Sequence, residues 1–230
     1  MILKALKDAA RRLGQTQAFY NVMTGKTEPE APDKKFSALS IPARKLSKTP
    51  MEGMYHTLKR AVITIRTATG YVSGFFISNE GNALTDAQVV GDAKTVAIVD
   101  STGVQYMADV IRVAEKTGVA LIKARINANA VLPIQTKSPT PSSDIYVMGT
   151  PVSESYKATL TKGIFSGWRT YKGVRFMQAS VDISKGSEGG PLLDAYGNVL
   201  GITAQGTDTS TYLALFIPIK EAFKALNIKQ

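Results

Sequence analysis

Ten residues late in the chain decide the fold: Ser184-Lys185-Gly186-Ser187-Glu188-Gly189-Gly190-Pro191-Leu192-Leu193. This stretch lies between two runs that are typical of strands, Phe176–Ile183 and Asn198–Thr203. An acidic residue is followed by two glycines and a proline, a pattern that favours a tight turn and close approach of the backbone to another part of the molecule. The stretch therefore predicts a tightly turned loop between two strands.

Three stretches of the sequence together resemble one enzyme family, the trypsin-like serine proteases, and within it the bacterial HtrA-like branch. The loop is similar to the family's nucleophile loop, Gly-x-Ser-Gly-Gly-Pro. Residues 74–90 are similar to a Gly-Phe-Ile-Ile segment that runs into Leu-Thr-Asn-Ala-His-Val-Val, and residues 116–123 are similar to Thr-Asp-Leu-Ala-Leu-Leu-Lys. The matching positions occur in the order His, Asp, Ser, which is the chymotrypsin-type order.

The three catalytic positions that this resemblance implies carry other residues. Gln88 falls on the histidine, Gly118 on the aspartate and Glu188 on the serine. In the triad, imidazole takes and returns the serine proton while the aspartate orients it. The amide of Gln88 cannot carry the proton, Gly118 has no side chain to orient a base, and the carboxylate of Glu188 is not the serine nucleophile. We therefore predict that the chain is not an enzyme but a pseudoprotease, and that it has no catalytic residues.

The same loop predicts an anion-binding site. The resemblance implies that the backbone N–H groups at Gly186 and Glu188 form an oxyanion hole. A nest of N–H groups favours anions, and Lys185 adds positive charge nearby. We hypothesise that the Glu188 carboxylate, or an acidic group of a partner, occupies or neighbours this hole. The predicted binding residues are thus Lys185, Gly186 and Glu188, and neither a metal nor a cofactor is expected.

Period-two hydrophobicity with Gly, Asn and Asp turns predicts an all-β domain after the first 50 residues. The first set of predicted strands is Ala61–Thr67, Tyr71–Ser78, Thr95–Asp100, Gln105–Glu115 and Val119–Arg125. The second set is Asp144–Met148, Ala158–Gly167, Val174–Val181, Pro191–Asp194, Val199–Ala204 and Tyr212–Ile217. A short closing helix is predicted at Lys220–Leu226.

The family resemblance implies that these strands form two six-stranded antiparallel β-barrels of the chymotrypsin type, with the altered site in the cleft between them. We expect this domain to span residues 51–230. Its first barrel is expected at about residues 55–130 and its second barrel at about residues 140–218.

Residues 1–50 differ from the rest in charge and pattern. The chain has 230 residues, no cysteine and a formal net charge of +10, and most of the positive excess lies in these first 50 residues. Apolar residues at helical spacing, with basic residues opposite, predict an amphipathic helix over Met1–Tyr20. Four prolines predict an extended arm over Thr27–Pro50. Such a helix covers its apolar stripe on a partner protein, on a membrane surface or on its own domain.

Three functions are compatible with these residues. We favour a scaffold or adaptor in a protein assembly, with docking to protein partners through residues 1–50 and the barrel surface, and we expect no nucleic-acid partner. A second function is a peptide-binding module in which the former substrate cleft adds a peptide as a β-strand. A third is a weak, unconventional serine hydrolase. The HtrA-like resemblance implies a periplasmic or other extracytoplasmic location, and no clear signal peptide is visible in the chain.

Overall fold

The computed structural model describes residues 35–67, 70–149, 159–171, 173–184, 186–204 and 214–230. The helix predicted for Met1–Tyr20 lies outside these residues, as does Lys185. Among the residues described, no helix is both long enough and apolar enough to cross a membrane.

The first barrel closes from six antiparallel strands in the spatial order β2-β3-β4-β7-β6-β5. These strands are β2 (Val62–Thr67), β3 (Gly70–Phe76), β4 (Asn82–Asp86), β5 (Thr95–Val99), β6 (Gln105–Ala114) and β7 (Val119–Ala124). Ile65, Ile98 and Ile122 pack inside it. Branched side chains fill such a small barrel because alternate residues of each strand point inward.

The second barrel closes in the order β10-β13-β12-β11-β8-β9. Its strands are β8 (Asp144–Gly149), β9 (Thr159–Tyr171), β10 (Val174–Ser180), β11 (Pro191–Leu193), β12 (Val199–Thr203) and β13 (Ala214–Pro218). Phe165, Leu192 and Phe216 are buried within it. The two closed barrels confirm the predicted all-β fold class.

A third cluster of buried side chains joins the barrels. It includes Phe75 and Leu121 from the first barrel, and Met148 and Ile217 from the second. Residues 33–230 form one compact unit. The two barrels therefore share apolar packing along their interface, which fixes the elements that surround the candidate site.

Among the residues that the structure describes, three helices flank the barrels: α1 (Met51–Ala61), α2 (Ala87–Val90) and α3 (Ile219–Ala225). The observed α3 lies one residue earlier at each end than the closing helix that the sequence predicts. The C-terminal end of α3 is held by the buried Arg112 of β6, which donates a 2.5 Å hydrogen bond to the carbonyl of Leu226. Burial lowers the pKa of this guanidinium.

The described part of the N-terminal arm packs on the body. A two-residue strand, β1 (Leu39–Ser40), runs parallel to β14 (Ile228–Lys229). Ile41 is only 1% exposed, and the N–H of Ser47 donates a 2.7 Å hydrogen bond to Oδ1 of Asn198. Residues 39–47 are thus anchored, although the prolines of Thr27–Pro50 predict an arm with little structure of its own. The expected domain boundary at residue 51 and docking through residues 1–50 stay predictions.

Candidate functional site

The loop from Ser184 to Gly190, here named the connecting loop, contains two tight turns. The N–H of Ser187 donates to the carbonyl of Ser184, and the N–H of Gly190 donates to the carbonyl of Ser187, both at 3.0 Å. Gly186 and Gly189 have φ angles of 97° and 78°. Side chains are costly at positive φ, so these turns require glycine at both positions.

The two glycines at the end of the connecting loop are wedged between both barrels. A Cβ atom added to Gly189 would overlap the carbonyl oxygen of Ser73 on β3. A Cβ atom added to Gly190 would lie 2.5 Å from the carbonyl oxygen of Met148 on β8. Real side chains do not tolerate such contacts with backbone atoms, so the glycines let the loop bring the barrels together.

Hydrogen bonds tie the connecting loop to strands of both barrels. The N–H of Ser73 donates to the carbonyl of Glu188 at 2.9 Å, and Oγ of Ser73 donates to the carbonyl of Gly186 at 2.7 Å. The N–H of Gly189 donates to the carbonyl of Thr203 on β12 at 2.8 Å. Sequence reasoning missed Ser73, whose one signal is a small polar residue inside a mostly apolar strand.

The Glu188 side chain turns back onto its own loop. The N–H of Gly186 donates to Oε2 of Glu188 at 2.5 Å, and the carboxylate is half-buried. A backbone N–H bound to an ionised carboxylate makes a short, charge-assisted hydrogen bond. One of the two N–H groups expected to form the hole is therefore occupied by the chain itself. That an acidic group of a partner binds here stays a prediction, and so does the role of Lys185.

The structure brings the three predicted triad positions together around the start of α2. The N–H of Ala87 donates to the carbonyl of Gly118 at 3.0 Å, which places Gly118 beside Gln88 in space as well as in the family pattern. The residue after Glu188 also lies near this helix, since a Cβ atom added to Gly189 would lie 2.8 Å from the backbone nitrogen of Asp86. Gln88 is exposed and Glu188 is half-buried.

Asp86 caps the helix that carries Gln88. Its Oδ1 accepts a 2.8 Å hydrogen bond from the N–H of Gln88, and Asp86 is only 2% exposed. Sequence reasoning missed this role, although aspartate immediately before a helix is a favoured N-cap. A second overlooked group is the fully buried Thr203, whose Oγ1 has no hydrogen-bond partner among the described residues.

Histidine and grouped metal ligands are the other residue types that could carry chemistry. His56, the only histidine of the chain, is exposed on α1, and its ring meets the edge of Tyr55 with centroids 5.6 Å apart. Within the part of the chain that the structure describes, no three His, Cys, Asp or Glu side chains are grouped so that they could hold a metal ion. The polar contacts of the connecting loop are therefore mainly backbone N–H and carbonyl groups.

The comparisons with known proteins identify the family. A family described as the trypsin-like peptidase domain matches residues 72–202, which is more than half of the chain. The chain belongs to the trypsin-like peptidase family. Its relatives include HtrA proteins, which supports the HtrA-like branch that the resemblance implies. The matched range runs from β3 to β12 and contains the connecting loop and all three triad positions.

Two relatives and one solved structure illustrate the similarity of this trypsin-like chain to proteases. HhoA of Synechocystis sp., named as a serine protease, is 33% identical over 168 residues, which cover 68% of this chain and 42% of HhoA. Serine protease HTRA1 of Xenopus tropicalis is 29% identical over 192 residues, which cover 77% of this chain and 40% of HTRA1. The crystal structure of the serine endoprotease from Yersinia pestis superposes with a TM-score of 0.64 at 26% identity, covering 76% of this chain and 65% of that chain. The chain thus spans about two fifths of the length of these two curated relatives.

These findings contradict our prediction that the chain is not an enzyme. The matched family is a peptidase family, and the relatives are named as serine proteases. The comparisons show no loss of the triad. The prediction is therefore corrected: the chain is a homologue of HtrA-like serine proteases. The physical reason for the error is that Gln88, Gly118 and Glu188 bear on the triad mechanism alone, not on every activity a protease fold supports.

The connecting loop of this trypsin-like chain combines a hydrogen-bonded backbone with two charged residues, Lys185 and Glu188. Its backbone is held by hydrogen bonds from Oγ of Ser73 to the carbonyl of Gly186 and from the N–H of Gly189 to the carbonyl of Thr203. A backbone N–H group binds a carbonyl oxygen or an anion. Here the acceptor at Gly186 is the Glu188 carboxylate, and binding of an oxygen ligand from a partner stays a prediction.

Proposed function

We propose that this trypsin-like protein is a scaffold or adaptor that binds a partner protein through its N-terminal extension and its barrel surface. The observation that carries the proposal is the hydrogen bond from the N–H of Gly186 to the Glu188 carboxylate. The loop that contacts substrate in a protease is here satisfied internally and is built into the contact between the barrels. The double barrel therefore offers a rigid body on which a partner can assemble.

The charge distribution supports the same proposal. The chain carries a formal net charge of +10, and its first 50 residues hold most of the excess. The body anchors residues 39–47 through β1, Ile41 and Ser47, and the proposal assigns docking to the basic segment before residue 35. A basic amphipathic segment presents both an apolar stripe and positive charge to an acidic protein surface.

A comparison of two chains tests this proposal. The full chain and a truncated chain of residues 35–230 are used as baits in affinity purification from the native source, followed by mass spectrometry. We expect one partner to be enriched by the full chain and lost with the truncated chain, while both baits unfold at similar temperatures. Equal recovery by the two baits would overturn docking through the extension.

A pair of point variants serves as the matched control. Leu6→Asp places a charge in the apolar stripe of the predicted helix, whereas Lys7→Gln changes its polar face. The proposal expects strong loss of the partner for Leu6→Asp and a smaller loss for Lys7→Gln. The recovered partner is also examined for cleavage, with unfolded casein and a fluorophosphonate probe in parallel. If the protein is a scaffold, the partner is recovered intact. A cleaved partner would instead indicate that the protein is a hydrolase.

The second candidate, peptide binding in the cleft, is favoured by two groups: the N–H of Gly186, which binds a side chain rather than the backbone, and the buried hydroxyl of Thr203, which has no hydrogen-bond partner among the described residues. An array of extended peptides, applied to the unchanged chain and to Glu188→Ala, tests it. Removal of the competing carboxylate is expected to raise peptide binding, and the absence of any bound peptide with both chains would exclude this candidate.

We propose an extracytoplasmic location, with the periplasm as the compartment. A Pseudomonas putida relative, 31% identical over 145 residues, is named as a periplasmic serine endoprotease, which supports this location. Fractionation of the native cells followed by immunoblotting tests it, and recovery in the cytoplasmic fraction alone would contradict it.

A further inference from the structure

A small cavity lies on the second barrel, away from the connecting loop. It has a volume of about 130 Å³ and is lined by residues 135–139 of the segment between the barrels, by β9 and β10, and by the start of α3. Sites for drug-sized ligands hold roughly 300–1,000 Å³. This cavity is therefore suited to one small chemical group rather than to a whole cofactor.

Positive charge dominates the wall of this cavity. Lys137, Arg175 and Lys220 line it, against one acidic residue, Glu221. Within the described ranges, none of these three cations forms an ion pair; the ion pairs there involve other lysines and arginines. An excess of unpaired cations around a concave surface attracts anions.

Arg175 is held in a defined orientation by an aromatic ring. Its guanidinium carbon lies 3.9 Å from the ring centroid of Trp168. Trp168 in turn meets the buried Phe165 edge-on, with centroids 5.7 Å apart. A guanidinium stacked on an indole face keeps its N–H edge free, and that edge can donate two parallel hydrogen bonds to a carboxylate. The stack reduces the entropy that a flexible arginine would lose on binding.

We propose that this cavity binds a carboxylate group of an acidic segment of a partner protein, with Arg175 as the principal contact. Glu221 lowers the net positive charge of the wall, which reduces the electrostatic advantage of a doubly charged phosphate over a singly charged carboxylate. The proposal rests on the protein-binding role proposed above, but it assigns a second contact surface that is separate from the N-terminal extension and from the connecting loop.

Trp168 is the only tryptophan of the chain, so its fluorescence reports directly on this cavity. The purified full chain is titrated with the peptide acetyl-Ala-Glu-Glu-Ala-amide at low salt, and the same binding is measured by calorimetry. We expect a saturable change in Trp168 fluorescence that weakens as salt is added. The corresponding peptide with two glutamines is expected to give no saturable change.

Substitutions at Arg175 provide the decisive comparison. Arg175→Gln is expected to weaken binding of the acidic peptide about tenfold, because it removes the charge and the planar fork. Arg175→Lys keeps the charge but not the stacked fork, so an intermediate loss of about threefold is expected. Arg60→Gln, which removes an exposed cation from α1, is the matched control and should leave the affinity unchanged. Circular dichroism verifies that each variant is folded.

Three results would overturn the proposal: no saturable signal with the unchanged chain, equal affinity in Arg175→Gln, or inorganic phosphate bound as tightly as the acidic peptide. The titration uses no native partner. If the peptide binds here while affinity purification yields no partner, the scaffold proposal fails and the carboxylate site stands.

Discussion

Replacement of Glu188 by glutamine changes one charge and almost no volume at the connecting loop. The N–H of Gly186 donates to Oε2 of Glu188 at 2.5 Å, and glutamine still offers an oxygen acceptor to that N–H. A hydrogen bond to a charged group contributes about 1.5–3 kcal/mol to the free energy of unfolding, and a neutral one about 0.5–1.5 kcal/mol. Because Glu188 is only half-buried, solvent reduces this difference. We expect Glu188→Gln to destabilise the protein by about 0.5–1 kcal/mol.

Urea and thermal denaturation measure this loss. In a domain of this size, 1 kcal/mol corresponds to a fall in Tm of about 2–4 °C, so a fall of about 1–4 °C is expected with an unchanged m-value. The matched control is Glu115→Gln, which removes an exposed carboxylate at the end of β6 and should change the stability by less than about 0.5 kcal/mol. If Glu188→Gln left the stability unchanged, or raised it, the reasoning about the charged hydrogen bond would be refuted.

Further substitutions test the packing around the site. Gly189→Ala should lower the free energy of unfolding by about 3 kcal/mol or more, since its Cβ would overlap backbone atoms at positive φ. The control Gly173→Ala has a similar φ but open space around it, so it should lower the free energy of unfolding by about 1 kcal/mol in the same urea titration. Arg112→Gln should lower the free energy of unfolding by about 2 kcal/mol, because it releases the end of α3; unchanged stability would refute the capping role. A hydrogen bond from Arg125 holds the pKa of Asp109 below its usual range. The pair therefore stabilises the fold at pH values above the usual pKa of a carboxyl group. This small stabilisation is lost as the pH falls through the lowered pKa of Asp109. NMR titration should show a higher midpoint for the Asp109 carboxyl in Arg125→Gln, and an equal midpoint would contradict the assignment.

The alternating pattern predicted eleven of the twelve barrel strands, and the omission has a physical cause. The sequence of strand β4, Asn82–Asp86, does not alternate between polar and apolar residues, because two adjacent apolar residues are followed by two adjacent polar ones. Its sequence also begins with asparagine and ends with aspartate, which are depleted in strands. Pairing with β3 and β7 supplies what the local sequence lacks.

The attachment of the N-terminal arm could not be predicted from the sequence, because it depends on contacts with residues far away in the chain. Its prolines indicate an extended chain, and β1 is indeed only two residues long. Its attachment depends on Asn198, whose side chain binds the backbone of Ser47 from 151 positions away. No local pattern encodes a contact of this kind, so the anchoring of the arm could not be read from its composition.

The resemblance indicated where the candidate site lies. The hydrogen bonds that build the site depend on the folded chain and could not be predicted from the sequence. Positions 88, 118 and 188 lie near the start of α2, while their role in a triad stays a prediction. The contributions of Ser73, Asp86 and Thr203 were not foreseen, because small polar residues in strands are common and their burial depends on the packed fold. The enzyme prediction failed for a different reason, since it inferred the absence of all activity from three positions that bear on a single mechanism.

The amide proton of Gly186 tests most directly the claim that the connecting loop is closed by its own carboxylate. Its chemical shift is compared by ¹⁵N-resolved NMR between the unchanged chain, Glu188→Gln and the control Glu115→Gln. A short hydrogen bond to a carboxylate predicts a strongly downfield proton that moves upfield in Glu188→Gln and does not move in Glu115→Gln. A Gly186 proton with the same chemical shift in all three proteins would contradict the account.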